Sequence, residues 1–139
     1  MTKLKKLTIG LLLFTTGAIA IYWLTVFTDI SEVVEKIPGY TDWFMSFPLA
    51  DGWIAICALL AALYLIKGKP QMTLFGLLTG SSLIFLGLSA LMYGIHTGLL
   101  FDLTWDEVTE IIIKLYCLTV GSFLIHRFWS SRKELEKPV

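Results

Sequence analysis

The chain is poor in the residues from which most catalytic and metal sites are built. Its 139 residues include two cysteines and two histidines. Cys57 and Cys117 lie far apart inside apolar runs, without the C-x-x-C spacing of a thiol-redox or zinc site. We interpret both as small buried hydrophobic residues, with a disulfide between helices as the alternative. The sequence therefore predicts no cofactor and no metal, and it identifies no catalytic residue.

Charge is also scarce, and it is balanced over the chain as a whole. Charged residues make up 16% of the sequence, with 11 basic and 11 acidic side chains. A neutral chain lacks the excess of lysine and arginine that attracts nucleic acid, so no nucleic-acid partner is expected. Hydrophobic residues make up 56%, more than a soluble domain of this size can bury. The expected surroundings are therefore a lipid bilayer.

Four long apolar runs predict four membrane-spanning helices. A bilayer core about 30 Å thick needs roughly 20 apolar residues in a helix. The runs cover residues 7–27, 43–66, 72–95 and 105–128. The second and third connections are short, so the helices that they join should be antiparallel. The sequence predicts an all-α fold, an antiparallel four-helix transmembrane bundle, formed as a single domain by residues 1–139.

The first run must be distinguished from a cleaved signal peptide. Basic residues precede it, and Ala18-Ile19-Ala20 resembles a small-residue cleavage site. The apolar stretch nevertheless continues to Phe27, which is longer than the apolar part of most signal peptides. This length favours a retained transmembrane helix, with cleavage as the alternative.

Basic residues gather at one end of the predicted bundle. They precede the first run, separate the second from the third and follow the fourth, whereas the other two connections are mainly acidic. Lysine and arginine resist translocation, so the basic end should face the cytoplasm. The expected location is the cell membrane, with multiple passes, both termini in the cytoplasm and residues 129–139 as a cytoplasmic tail.

Charged residues inside the predicted spans are the main functional candidates, because ionised groups are costly in a bilayer. Asp51 lies in the second run, and Glu110 and Lys114 lie one helical turn apart in the fourth. At 1.5 Å per residue, Asp51 and Lys114 both fall roughly 21–23 Å from the cytoplasmic ends of their helices. The pattern predicts an acid–base cluster in the outer half of the bundle. Pro48, just before Asp51, predicts an irregular helix end of the kind found at ligand sites.

Tyr93 and His96 end the third run on the same side of the membrane. Together with Asp51, Glu110 and Lys114 they complete the predicted ligand-binding set. The alternative is that both face headgroups or solvent, and that the charged residues form a buried ion pair that holds helices together. One histidine with scattered carboxylates is not a metal-ligand motif.

Further patterns predict local structure and packing. Thr104 followed by Glu107 is typical of a capping box that begins the fourth helix. Residues 31–36 are expected to form a short helix at the membrane surface. A stripe of glycines along the third run predicts close packing inside the bundle, with a dimer face as the alternative. The stripe comprises Gly76, Gly80, Gly87 and Gly94.

Three functions are compatible with these residues. The first is binding or transport of a small ligand or ion in an outward-facing polar pocket, with Asp51 as its main charge. Lys114 would keep Asp51 ionised or bind an anionic group. The second is a non-catalytic scaffold or accessory subunit that acts with another membrane protein or as a homo-oligomer. The weakest is a membrane enzyme for a lipid-like substrate, with Asp51 or Glu110 as its acid–base group.

Overall fold

The computed structural model describes residues 2–29 and 33–135, and the regular structure in these ranges is helical. The all-helical expectation is therefore confirmed for the described chain. A short 3₁₀ turn, Leu99–Phe101, precedes the last long helix. The α-helices are α1 (Lys3–Thr28), α2 (Tyr40–Phe44), α3 (Pro48–Ile66), α4 (Gln71–Thr97), α5 (Trp105–Ser130) and α6 (Arg132–Leu135).

Four helical segments are long and apolar enough to cross a bilayer, and each contains one of the predicted runs. They are Lys3–Thr28, Tyr40–Ile66, Gln71–Thr97 and Trp105–Ser130. Large apolar side chains remain exposed on all of them, including Phe14, Phe85 and Leu115. Such a surface is a liability in water but is compatible with acyl chains. This is the architecture of a multi-pass membrane protein.

The long helices pack in the order α1, α3, α4, α5. α4 packs closely against both α3 and α5, and α1 packs closely against α3 alone. Thr16 donates a hydrogen bond to the Ala55 carbonyl oxygen, and Trp23 donates one to Asp51, so α1 and α3 run in opposite directions. We call the end of the bundle that carries α2 the α2 end. The ends of α1 and α4 and the starts of α3 and α5 lie there.

Glycines bring α4 and α5 into backbone contact. A Cβ added to Gly80 would lie 2.8 Å from the carbonyl oxygen of Gly121, and one added to Gly121 would lie 2.7 Å from that of Gly80. The ring of Phe128 occupies the space beside Gly76. The predicted glycine stripe therefore packs within the bundle, where it allows the two helices to approach.

The connection between α1 and α3 differs from the expected one. Residues 33–36 of the expected helix are not helical, and residues 31–32 lie outside the described chain. The helical turn begins instead at Tyr40, after Gly39, whose φ of 85° suits a residue without a side chain. Turn residues 45–47 separate α2 from α3. Pro48 begins α3, because proline fits a first helical turn, where no N–H partner is needed. The predicted irregularity next to Asp51 is thus a break between two helices.

Both cysteines are free and buried, as the apolar runs around them predict. Cys57 is a fully buried residue of α3, and Cys117 belongs to the face of α5 that packs toward Gly87. The alternative of a disulfide between helices is not formed.

Candidate ligand-binding site

A cavity of about 350 Å³ lies among the long helices toward the α2 end. Most of its lining is apolar, and its charged lining residues are Asp51, Glu110 and Lys114. Three of the predicted site residues therefore surround one cavity. Aromatic side chains of α2 and of the segment before α3, among them Trp43 and Phe47, also line it.

Asp51 lies in the first turn of α3, where the helix dipole favours a negative charge. Its side chain is 9% exposed, and its Oδ2 accepts a hydrogen bond of 2.7 Å from the indole Nε1 of Trp23. Its Oδ1 is buried and has no hydrogen-bond partner in the described part of the chain. Because buried carboxylate oxygens are normally hydrogen-bonded, Asp51 has an unused acceptor next to the cavity.

Lys114 is neutralised by carboxylates of its own helix. Its Nζ lies 3.2 Å from Oε1 of Glu107 and 3.9 Å from Oε2 of Glu110. Among residues 2–29 and 33–135, no ion pair joins it to Asp51. Gly94 of α4 makes room for the ammonium group, since a Cβ there would lie 3.3 Å from Nζ. Asp51, Glu110 and Lys114 line one cavity, but Lys114 is not the direct partner of Asp51.

Glu107 is a site residue that sequence reasoning treated only as part of a helix cap. The cap does form, because the Glu107 backbone N–H donates to Thr104 Oγ1 at 3.3 Å. The Glu107 side chain is 2% exposed and binds Lys114, seven residues further along α5. Two turns of helix separate the pair, which places both on one face. This spacing was the signal in the sequence that pointed to the pair.

Glu110 joins α5 to the connection between α1 and α3. The Tyr40 hydroxyl donates a hydrogen bond of 2.7 Å to Glu110 Oε1. Lys36 Nζ lies 3.5 Å from the same oxygen and 5.1 Å from the centre of the Tyr40 ring. Glu110 therefore has a structural partner outside its own helix, in addition to its contact with Lys114.

Tyr93 and His96 do not line the cavity. The Tyr93 ring stacks on Trp43, with ring centres 3.8 Å apart and planes 6° apart, so Tyr93 supports a lining residue. His96 lies near the end of α4 and is exposed. The structure thus gives Tyr93 an indirect place in the site and leaves His96 outside it.

α2 is attached to three of the long helices at once. Phe44 packs on Trp23 of α1, with ring centres 5.3 Å apart. Trp43 stacks on Tyr93 of α4, and the Tyr40 hydroxyl donates a hydrogen bond to Glu110 of α5. These contacts hold aromatic side chains against the cavity at the α2 end.

The side of the cavity between α1 and α5 is its exposed side. The exposed residues of its lining all belong to these two helices, and the other lining residues are buried or half-buried. α1 and α5 approach each other through Tyr116, whose hydroxyl lies 2.7 Å from Thr15 Oγ1. The exposed lining residues are Phe14, Ala18, Tyr22, Ile112 and Ile113.

Comparison of the chain with protein-family models, with curated proteins and with solved structures finds no match. No group of three or more His, Cys, Asp or Glu residues in the described ranges is arranged to hold a metal ion.

Proposed function

We propose that this protein binds a small ligand in the cavity beside Asp51, in the outer half of the cell membrane, with both termini in the cytoplasm. The single observation that carries the proposal is Asp51, which lines a 350 Å³ cavity and whose buried Oδ1 has no hydrogen-bond partner among the described residues. This volume lies at the lower end of the range for small-molecule sites, about 300–1,000 Å³. A bound hydrogen-bond donor would satisfy the oxygen and offset the cost of burying it.

The balance of charge favours a cationic ligand. The carboxylates of Glu107 and Glu110 are each paired with a lysine, Lys114 or Lys36. Asp51 has the Trp23 N–H but no cation within ion-pair distance among the described residues. An ammonium group would supply both the charge and the donor that Asp51 lacks. An anionic ligand is less well supported, because Lys114 is already engaged.

An alkylammonium titration tests this proposal. The purified protein, reconstituted in nanodiscs, is titrated with n-butylammonium and n-dodecylammonium while its tryptophan fluorescence is recorded, since Trp23 and Trp43 border the cavity. Asp51→Asn should weaken binding of at least one of these amines by about tenfold or more, because it removes the charge but keeps the size of the side chain. Asp106→Asn, on the exposed start of α5, is the matched control. Equal binding by wild type and Asp51→Asn at both chain lengths would refute the proposal.

A second candidate function is a scaffold or accessory subunit, and the Trp23–Asp51 hydrogen bond between α1 and α3 favours it. In this case Asp51 serves only to hold two helices together. Asp51→Asn should then keep its function in cells, because the amide oxygen can still accept from the indole N–H. Loss of cellular function in a correctly folded Asp51→Asn variant would instead favour the binding site.

A further inference from the structure

We infer that the ligand is a single-chain amphiphile with an ammonium head group, and that it enters the cavity from the lipid phase between α1 and α5. This inference rests on the proposed function and adds the chemical class of the ligand and its route. It follows from the position of the exposed lining, the distribution of polar groups and the volume of the cavity.

The route follows from the exposed lining. Ala18 and Tyr22 on α1 and Ile112 and Ile113 on α5 line the cavity and are also exposed at the side of the bundle. These residues lie inside helices that are long and apolar enough to span a membrane, so this side faces acyl chains. At the α2 end the lining is aromatic and is held by contacts of α2 with three helices. A lateral route is therefore the more open one.

The chemical class of the ligand follows from the positions of the charged residues in the lining. The charged groups of the lining belong to the first turn of α3 and to the first three turns of α5, near the α2 end. The lining on α1 extends to Phe14, fourteen residues before the last residue of α1, or about 21 Å along that helix. Between the charged residues and this far end, the lining of the cavity is mainly apolar, and α4 contributes Leu83 and Leu86 to it. A site with one charged end and an apolar body fits a molecule of the same form.

The volume of the cavity matches a ligand with one chain. A water molecule occupies about 30 Å³ in the liquid, so a cavity of 350 Å³ has room for about a dozen groups of that size. A head group and an alkyl chain of about ten carbons fill this space, whereas a phospholipid with two long chains is several times larger.

The head group should supply the selectivity. An alkyl chain gains little when it moves from lipid to an apolar pocket, because lipid tails are as apolar as the pocket. The ammonium gains a charge-assisted hydrogen bond to the free oxygen of Asp51. The chain serves to concentrate the ligand in the bilayer and to orient its head toward the α2 end. Head groups on the same chain are accordingly compared per mole fraction of ligand in the bilayer, and chain lengths are compared at equal total concentration.

The test compares chain lengths, head groups and the lateral opening. n-Dodecylammonium, n-butylammonium and dodecyl sulfate are titrated into the nanodisc-embedded protein, with empty nanodiscs as the reference for partitioning. Dodecylammonium should bind and dodecyl sulfate should not. At equal total concentration, butylammonium should bind about tenfold or more weakly, because it lacks the chain that concentrates the ligand in the bilayer. Stopped-flow fluorescence gives the association rate of dodecylammonium.

Substitutions at the opening separate the lateral route from entry through water. Ala18→Phe and Ile112→Phe each replace a smaller side chain by a phenyl ring at an exposed lining position, one on each side of the opening. Each should slow association of dodecylammonium by about tenfold. Ala20→Phe, also exposed on α1 but outside the lining, is the matched control and should associate as wild type does. Size-exclusion chromatography and thermal unfolding verify that each variant is folded.

The outcomes separate the inference from the function on which it rests. If both amines bind equally in an Asp51-dependent manner, and neither substitution at the opening slows association, the amphiphile inference is wrong and the proposed ligand site stands. Binding of dodecyl sulfate in preference to dodecylammonium would also overturn the inference. If no amine of either length depends on Asp51, both proposals are wrong.

Discussion

At the scale of single residues, the buried pair of Lys114 and Glu107 gives the clearest prediction. Glu107→Gln keeps the shape of the side chain but removes the carboxylate nearest the buried ammonium, leaving Glu110 at 3.9 Å. Breaking a buried ion pair by removing one partner costs about 3–5 kcal/mol. We expect the free energy of unfolding to fall by roughly this amount. Reversible denaturant unfolding in detergent micelles measures it.

The neighbouring residue supplies a control for this experiment. Asp106 is acidic, lies on the same helix turn and is exposed, so Asp106→Asn should change the free energy of unfolding by less than about 0.5 kcal/mol. If Glu107→Gln were as stable as Asp106→Asn, the ion pair would not contribute to the stability of α5.

The sequence was sufficient to find the charged residues that line the cavity but not their partners, Glu107 among them. Asp51, Glu110 and Lys114 stand out because a charge inside an apolar run is costly wherever the chain folds. Trp23 does not stand out, since tryptophan is ordinary near the end of a membrane helix, and its role depends on which helix lies beside it. The depth estimate placed Asp51 and Lys114 at one level, which the shared cavity supports, but depth does not specify rotation about the helix axis.

At the scale of helices, the crossing of α4 and α5 depends on glycine. Gly80→Ala would place a methyl group 2.8 Å from the carbonyl oxygen of Gly121, so the two backbones must separate. Overpacking of this kind costs about 1–3 kcal/mol. We expect the free energy of unfolding to fall by roughly that amount, and denaturant titration in detergent micelles measures it.

Gly17→Ala is the matched control, because Gly17 is also inside a long helix and has no atom within 4 Å of the added Cβ. Alanine is the better helix former by about 1 kcal/mol, so this variant should be as stable as wild type or more stable. Equal destabilisation by both substitutions would show that the close contact at Gly80 does not determine the effect.

The predicted helices and the observed ones agree because long apolar runs leave few alternatives in a bilayer. The helices extend beyond the predicted runs by a few residues at several ends, as at Lys3 and Ser130, where polar residues continue the helix past the apolar stretch. α2 could not be located in the same way. It is one turn long, and tertiary contacts of its aromatic side chains hold it in place.

At the scale of the whole molecule, the connections explain why the bundle is open on one side. The short link between Ile66 and Gln71 holds α3 beside α4, and the glycine contacts hold α4 beside α5. The long connection after Thr28 permits α1 to pack on α3 without closing against α5 along its length. The cavity therefore arises from the arrangement of four helices, and it could not be predicted from the sequence of any one of them.

The orientation of the molecule is the last property that the charge pattern predicts. The basic residues of the described chain lie mainly away from the α2 end, at the start of α1, between α3 and α4, near the end of α5 and in α6. Because such residues remain in the cytoplasm, the α2 end should face outward. Single cysteines placed in a Cys57→Ala, Cys117→Ala background report the two ends by their reaction with a membrane-impermeant maleimide. Leu103→Cys, exposed at the α2 end, should react in intact cells, whereas Gln71→Cys, exposed at the opposite end, should react only after the membrane is permeabilised. The reverse pattern would place Asp51 and the cavity in the cytoplasmic half of the membrane and would contradict the proposed outward-facing site.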